Sequence, residues 1–189
     1  SKWGIDHLQL APVLNTLANI YRAQRKWDYA EAAMERARAI HEHSAGAKHP
    51  VVAAVLNNIG VLALERRQYT EADRRFRQAL QIYEVTFGPE HVEVAKSLSN
   101  LAESLRSQDR HGEADPPFMR ALAICHRLLP SDHPQTIQTL VDYAKLLRQT
   151  GRKDEARRLE KRAAQALASR KKTDPAEGLT VSYRDLSKN

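Results

Sequence analysis

Four histidines, His7, His49, His91 and His133, set a period in this chain: 49−7, 91−49 and 133−91 each equal 42. The stretch GPEHVEVAKSLSNLAE at 88–103 restates GAKHPVVAAVLNNIGV at 46–61. Leu14, Leu56, Leu98 and Leu140 correspond, as do Leu17, Ile59, Leu101 and Tyr143, and the small residues Ala18, Gly60, Ala102 and Ala144. Later in each copy come Ala30, Ala72, Ala114 and Ala156, then Ala37, Ala79, Ala121 and Ala163. A fixed period of this length calls for copies of one supersecondary unit. Each copy is unable to bury its apolar face alone and so stacks on the next.

Each copy reads as two helices. In the first, Leu56, Ile59, Gly60 and Ala63 fall at i, i+3, i+4 and i+7, one face of an α-helix. The polar run ERRQYT at 65–70 interrupts this face before Ala72, Phe76, Ala79 and Leu80 resume it. Pro50 and Pro134 stand where a first helical residue belongs, because proline lacks the donor that would be orphaned there. Gly88 marks the end of a second helix. The apolar residues are mainly Ala and Leu, strong helix formers, and aromatics make up only 6% of the chain. The expected fold class is all-α.

The pattern of small residue at unit position 8, Ala at 20, Phe or Met at 24 (Met34, Phe76, Phe118) and Ala at 27 resembles the tetratricopeptide repeat. The period is longer than that family's usual ~34 residues. With the His-Pro entry of HPVVAAVLNNIGV, it resembles specifically the kinesin light chain type of repeat, over roughly residues 7–168. The resemblance implies a right-handed superhelical solenoid of four helical hairpins, at about 7–48, 49–90, 91–132 and 133–170. The last hairpin would end in a capping helix, since Glu160 stands where Met34, Phe76 and Phe118 stand in the other copies. The chain has no heptad segment that could pair with a motor heavy chain, so a motor role is not implied.

In that family the first helix of each unit lines a concave groove at unit positions 2, 5, 9 and 12. Carried over, these are Asn15, Asn19 and Arg22; Asn57, Val61 and Leu64; Lys96, Ser99, Glu103 and Arg106; and Gln138, Val141, Lys145 and Arg148. Position 6 adds Asn58, Asn100 and Asp142. An asparagine amide both donates and accepts, and so can pair with the backbone of an extended peptide. Arg22, Lys96, Arg106, Lys145 and Arg148, opposed mainly by Glu103 and Asp142, favour an acidic segment or a C-terminal carboxylate. Val61 and Leu64 supply an apolar pocket between the polar ends. The expected function is a non-enzymatic scaffold or adaptor that holds a short acidic peptide. Some members of the family grip chaperone C-termini through two Asn and three basic residues. Asn19, Asn58 and Lys96 fit three of those places, but Asn15 and Asn100 replace the other two basic residues, which argues against chaperone binding.

No cofactor or metal is expected. Packed helices lie ~8–10 Å apart, so repeat-related histidines form a row and cannot converge on one ion at ~2 Å. The expected role of these histidines is local hydrogen bonding at a helix entry. The looser cluster of His41, His43 and His49 has no Cys or carboxylate at a ligand spacing. Catalysis finds no Gly-rich phosphate loop, HExxH or G-x-S-x-G, and the letters SDH at 131–133 are too close in sequence to form a relay. Cys125 lies on an apolar stretch, as a buried inert thiol does.

The net charge is +7, which favours acidic partners. Ten Lys or Arg stand between Arg148 and Lys172, against Asp154, Glu155 and Glu160. Nucleic acid or an anionic surface could use this region. Few aromatics interleave with the charges, however, which argues against stacking on single-stranded bases, and a solubilising end cap is expected instead. Trp3, Ile5, Leu8 and Leu10 leave an apolar N-terminal edge, the basis for expecting self-association as the structural alternative. Residues 171–189 lie outside the repeat; they are expected to be a tail, either flexible or folded back into a groove as a built-in ligand. A single cysteine excludes an intrachain disulfide, and no apolar run approaches the ~20 residues of a membrane span. No signal peptide is visible, which favours a cytoplasmic location. The start at Ser1 rather than Met leaves N-terminal processing or truncation open.

Overall fold

The computed structural model describes residues 9–173, and the expectations placed on Trp3, Ile5, His7, Leu8 and the segment 174–189 lie outside it. Eight helices and no strand occur among the described residues. They are α1 (Leu10–Ala23), α2 (Trp27–Ala45), α3 (Pro50–Glu65), α4 (Tyr69–Phe87), α5 (Val92–Arg106), α6 (His111–Leu128), α7 (Pro134–Gln149) and α8 (Lys153–Thr173). Each odd helix packs on the even helix that follows it, and each even helix on the next odd one. The result is an all-α solenoid.

Local chemistry fixes the helix boundaries, and it recurs with the period. His49, His91 and His133 are the N-caps of α3, α5 and α7. In each, ring Nδ1 accepts from the backbone N–H two residues on (Val51, Glu93, Gln135), always at 3.2 Å. The imidazole thus satisfies one of the four orphan donors of a helix start. Pro50 and Pro134 occupy the first helical position, where no donor is needed. Gly88 ends α4 with φ 82°, in the left-handed region.

The turn inside each hairpin is the same four times. Arg25, Arg67, Asp109 and Gly151 all have positive φ, at 58°, 60°, 57° and 79°. The next residue in each turn closes a backbone bond to the carbonyl five positions earlier. These bonds are Lys26 to Tyr21, Gln68 to Ala63, Arg110 to Leu105 and Arg152 to Leu147, at 2.8–3.0 Å. Such a closure satisfies helix-terminal carbonyls and holds the left-handed residue in place even when it is not glycine.

Close approach of the helices follows from the small residues. Ala30, Ala72, Ala114 and Ala156 are completely buried, as are Ala37, Ala79, Ala121 and Ala163. A methyl at Gly60 would lie 2.5 Å from the buried Phe76 ring. In the next copy Ala102 is tolerated, and Phe118 stacks on Tyr143 with ring centroids 5.5 Å apart. At the end of the array Glu160 receives the fork of Arg148 through two bonds of 2.5 and 2.8 Å. An ion pair therefore stands where the other copies offer an aromatic or Met.

Candidate functional site

The cross-repeat bonds show which side of the array is tighter. On the odd helices short side chains suffice. Asn100 of α5 donates to Asn57 of α3 at 3.2 Å, and the Ser99 hydroxyl of α5 pairs with the Thr139 hydroxyl of α7 at 3.0 Å. Bridging the even helices takes arginine: Arg75 of α4 reaches Glu35 of α2, and Arg120 of α6 reaches Glu84 of α4. Helix α5 also touches both α3 and α7 directly, and the even helices make no comparable approach among the described residues. The odd helices therefore form the shorter, inner wall of the stack and the even helices its outer wall.

On this inner wall the sequence-derived residues divide into three groups. Asn19, Asn58 and Lys96 are exposed, and no bond of theirs to another described side chain is recorded. A second group is half-buried or exposed but already paired. Arg22 meets Glu65 at 3.0 Å, and Lys145 meets Asp142 at 3.0 Å. Arg106 forks onto Glu103 at 2.6 and 2.7 Å and also reaches Gln149 at 3.0 Å. Arg148 is held by Glu160. The Glu103 hydrogen bond raises the pKa of Arg106 above its ordinary value, and the Glu160 bond does the same for Arg148. Gln138 donates to Asp142 at 2.8 Å.

The third group turns inward. Asn57 is 2% exposed, and Ser99 and Val141 are 4% exposed. All three stand at the same place in the repeat: the next odd helix reaches Asn57 and Ser99, and Val141 joins the core cluster that contains Leu101 and Leu105. The polar side chains of Asn57 and Ser99 bracket one helix to the next and do not face a ligand, which corrects the placement of these two in the groove. Asn15, their counterpart in the first copy, is half-buried, with a buried Oδ1 that has no partner. Val61 and Leu64 lean on the core cluster that contains Leu101, Leu105 and Val141 while staying partly exposed. Asn100 is half-buried and spends its amide donor on Asn57.

Sequence reasoning counted the cations but missed two of their partners. Glu65 and Glu160 come from positions outside the family's groove set, and no local spacing relates them to Arg22 and Arg148. Glu103–Arg106 and Asp142–Lys145 are i, i+3 pairs and were visible in the spacing. In the basic region beyond, Arg152 pairs with Asp115 and Glu155, and Arg157 with Asp154. Cys125 is fully buried, and burial pushes its thiol pKa up, as in an unreactive core thiol. No group of three or more metal-ligating side chains occurs among the described residues, and no helix there is long and apolar enough to cross a membrane.

A stack of helical hairpins with this inner wall defines an α-solenoid of the kind that generally serves as a non-enzymatic interaction scaffold. The tetratricopeptide repeat family model matches residues 9–84, 52–125 and 93–169, and the chain belongs to that family. Proteins of this family bind protein partners. No curated protein sequence matches the chain. Among solved structures it is similar to BtubC (BKLC) from P. vanneervenii, at 22% identity and a TM-score of 0.75, covering 92% of this chain and 69% of that one. It is also similar to a Podosopora anserina protein of nearly identical, kinesin light chain TPR-like repeats, at 22% identity and a TM-score of 0.67, covering 87% and 78%. Aspartyl phosphate phosphatase F from Bacillus subtilis shares the fold at 17% identity and a TM-score of 0.71; the match covers 88% of this chain and 41% of that one. Similarity at these identities speaks to the shared fold, which includes kinesin light chain-like repeats.

Proposed function

We propose that this chain is a non-enzymatic adaptor whose inner wall holds an extended, acidic segment of a partner protein. The observation that carries the reading is the charge arrangement along that wall. Arg22, Arg106, Lys145 and Arg148 each have a carboxylate partner, and Lys96 on α5 has none recorded among the described residues. Asn100 lies four residues on, one turn along the same helix face, and Asn58 stands at the corresponding place on α3. A carboxylate of the ligand would sit on Lys96, and backbone groups would pair with Asn58 and with the free Oδ1 of Asn100. Val61 and Leu64 would take an apolar side chain of the same segment. Selection of random peptides on the purified chain tests this. The reading expects enrichment of Asp and Glu, reversed to Lys and Arg by Lys96→Glu. Enrichment indifferent to that substitution would refute it.

A second reading, self-association, is supported by α1. Val13 and Ile20 are 60% and 48% exposed. Their repeat counterparts Val55, Ser97 and Thr139, and Leu62, Ser104 and Leu146, are at most 1% exposed because a preceding helix covers them. The face of α1 is thus apolar at positions that are interior elsewhere in the array. The occupant proposed here is the same face of a second copy, related by a two-fold axis. Sedimentation velocity should give a dimer that Val13→Glu/Ile20→Glu converts to monomer. A wild-type monomer at high concentration would exclude it.

A further inference from the structure

The outer wall carries a break in its own pattern. Arg120 of α6 binds Glu84 of α4 at 2.6 Å. Moving both residues on by one period gives Arg162 on α8 and His126 on α6. The two meet as the earlier pair does, with Arg162 Nη2 on His126 Nε2. The bridge therefore has its cation but lacks the anion. A guanidinium is always protonated and has no acceptor, so Nε2 accepts and the ring is neutral. Burial, and then the charge of Arg162, lower the imidazole pKa. No carboxylate pairs with Arg162 among the described residues.

Beside this pair lies a cavity of about 220 Å³ between α6, α7 and α8, lined in part by Ser131, Thr136, Gln165 and Ser169. The Thr136 hydroxyl is committed to the Pro130 carbonyl at 3.2 Å. Ser131, Gln165 and Ser169 are exposed and line the cavity, and their hydroxyl and amide groups are able to donate. Here a planar cationic fork that lacks its carboxylate faces a cavity whose other polar groups can donate.

We propose that this outer-wall cavity is an oxyanion site, in which a phosphate or carboxylate group binds Arg162 in place of the missing glutamate. Arg162 supplies parallel donors to two oxygens, and Ser131, Gln165 and Ser169 supply donors to the rest. A phosphate, with more acceptor oxygens than a carboxylate, uses more of these donors. The site lies on the opposite wall from Lys96 and does not depend on the peptide reading.

The test follows the His126 side-chain resonances by NMR, assigned through His126→Gln, during titration with inorganic phosphate, methyl phosphate or acetate at matched ionic strength in sodium chloride. The proposal expects saturable shifts with phosphate at a Kd on the order of 1 mM, modest as befits so small a ligand, with acetate weaker. Methyl phosphate matching inorganic phosphate would assign the site to a phosphoryl group carried on a larger molecule as well as to the free ion. Inorganic phosphate alone would assign it to the ion. Arg162→Gln should weaken the phosphate response at least tenfold. His126→Glu restores the bridge seen one repeat earlier; it should abolish phosphate binding, read for this variant and the wild type by isothermal titration calorimetry, and raise Tm. Absence of saturation in the folded wild type, or a response retained in Arg162→Gln, would overturn the proposal.

Discussion

Asn100 donates its side-chain amide to Oδ1 of Asn57 at 3.2 Å, joining α5 to α3 across an interval of 43 residues. The neighbours of these two in sequence, Asn58 and Ser99, have opposite fates: Asn58 faces solvent, whereas Ser99 is buried against Thr139. One step along an odd helix thus separates the residues that hold the array together from those that could hold a ligand.

That separation predicts different phenotypes for adjacent asparagines. Asn57→Ala removes a buried acceptor and should lower stability by about 1–3 kcal/mol, read as a fall in the urea midpoint. Asn58→Ala should leave the midpoint within about 0.5 kcal/mol, as exposed substitutions do, and weaken binding of a selected peptide.

The histidine caps predict a loss that follows the period. His91→Ala should cost roughly 0.5–2 kcal/mol, the usual range for loss of an N-cap, and His91→Asp should recover most of it. His43→Ala, at an exposed position with no capping role, should be close to neutral. Thermal denaturation of the three variants makes the comparison.

The hairpin turns give a signed prediction. Arg67 holds φ at 60°, a conformation that costs a side-chain-bearing residue roughly 1–2 kcal/mol. Arg67→Gly relieves this at a smaller cost in chain entropy and should stabilise by about 0.5–1 kcal/mol. Gly151→Ala at the equivalent turn should destabilise by about 1 kcal/mol. Urea unfolding checks both signs.

Acid should weaken the fold through His41. Burial, and then the neighbouring His49, hold its imidazole pKa below the ordinary 6.5. The folded chain therefore binds fewer protons than the unfolded chain at this site. Its contribution is complete above the unfolded value and is lost as pH falls below about 6.5. His126 is lowered in the same direction. Tm should fall between roughly pH 7.5 and 5.5, and the fall should be smaller in His41→Gln.

The fold was legible because the period makes every position report four times. Ala30, Ala72, Ala114 and Ala156 could be recognised as interior without knowing what covered them. The inner wall was harder to read. Unit position 5 lies on the groove side of a single helix, but the depth to which Asn57 and Ser99 sink depends on how closely the next odd helix approaches, and no local pattern encodes that distance. The left-handed turns were hidden for a related reason: Arg25, Arg67 and Asp109 carry none of the glycine signal that Gly151 does, and the backbone bond to the fifth residue back holds them there. Pro116 and Pro117 lie inside α6, where proline ordinarily interrupts a helix. Packing of Ala114, Phe118, Ala121 and Leu122 on the core carries the helix through them.

The central claim is that partner segments lie on the odd-helix wall. Its most direct test places a photo-crosslinking residue singly at Asn58 or Lys96 on the inner wall, or at Gln78 or Lys161 on the outer one, and exposes each variant to a labelled peptide selected on the wild type. The account predicts peptide adducts from the first two positions and background from the others. Adducts confined to Gln78 or Lys161 would contradict it.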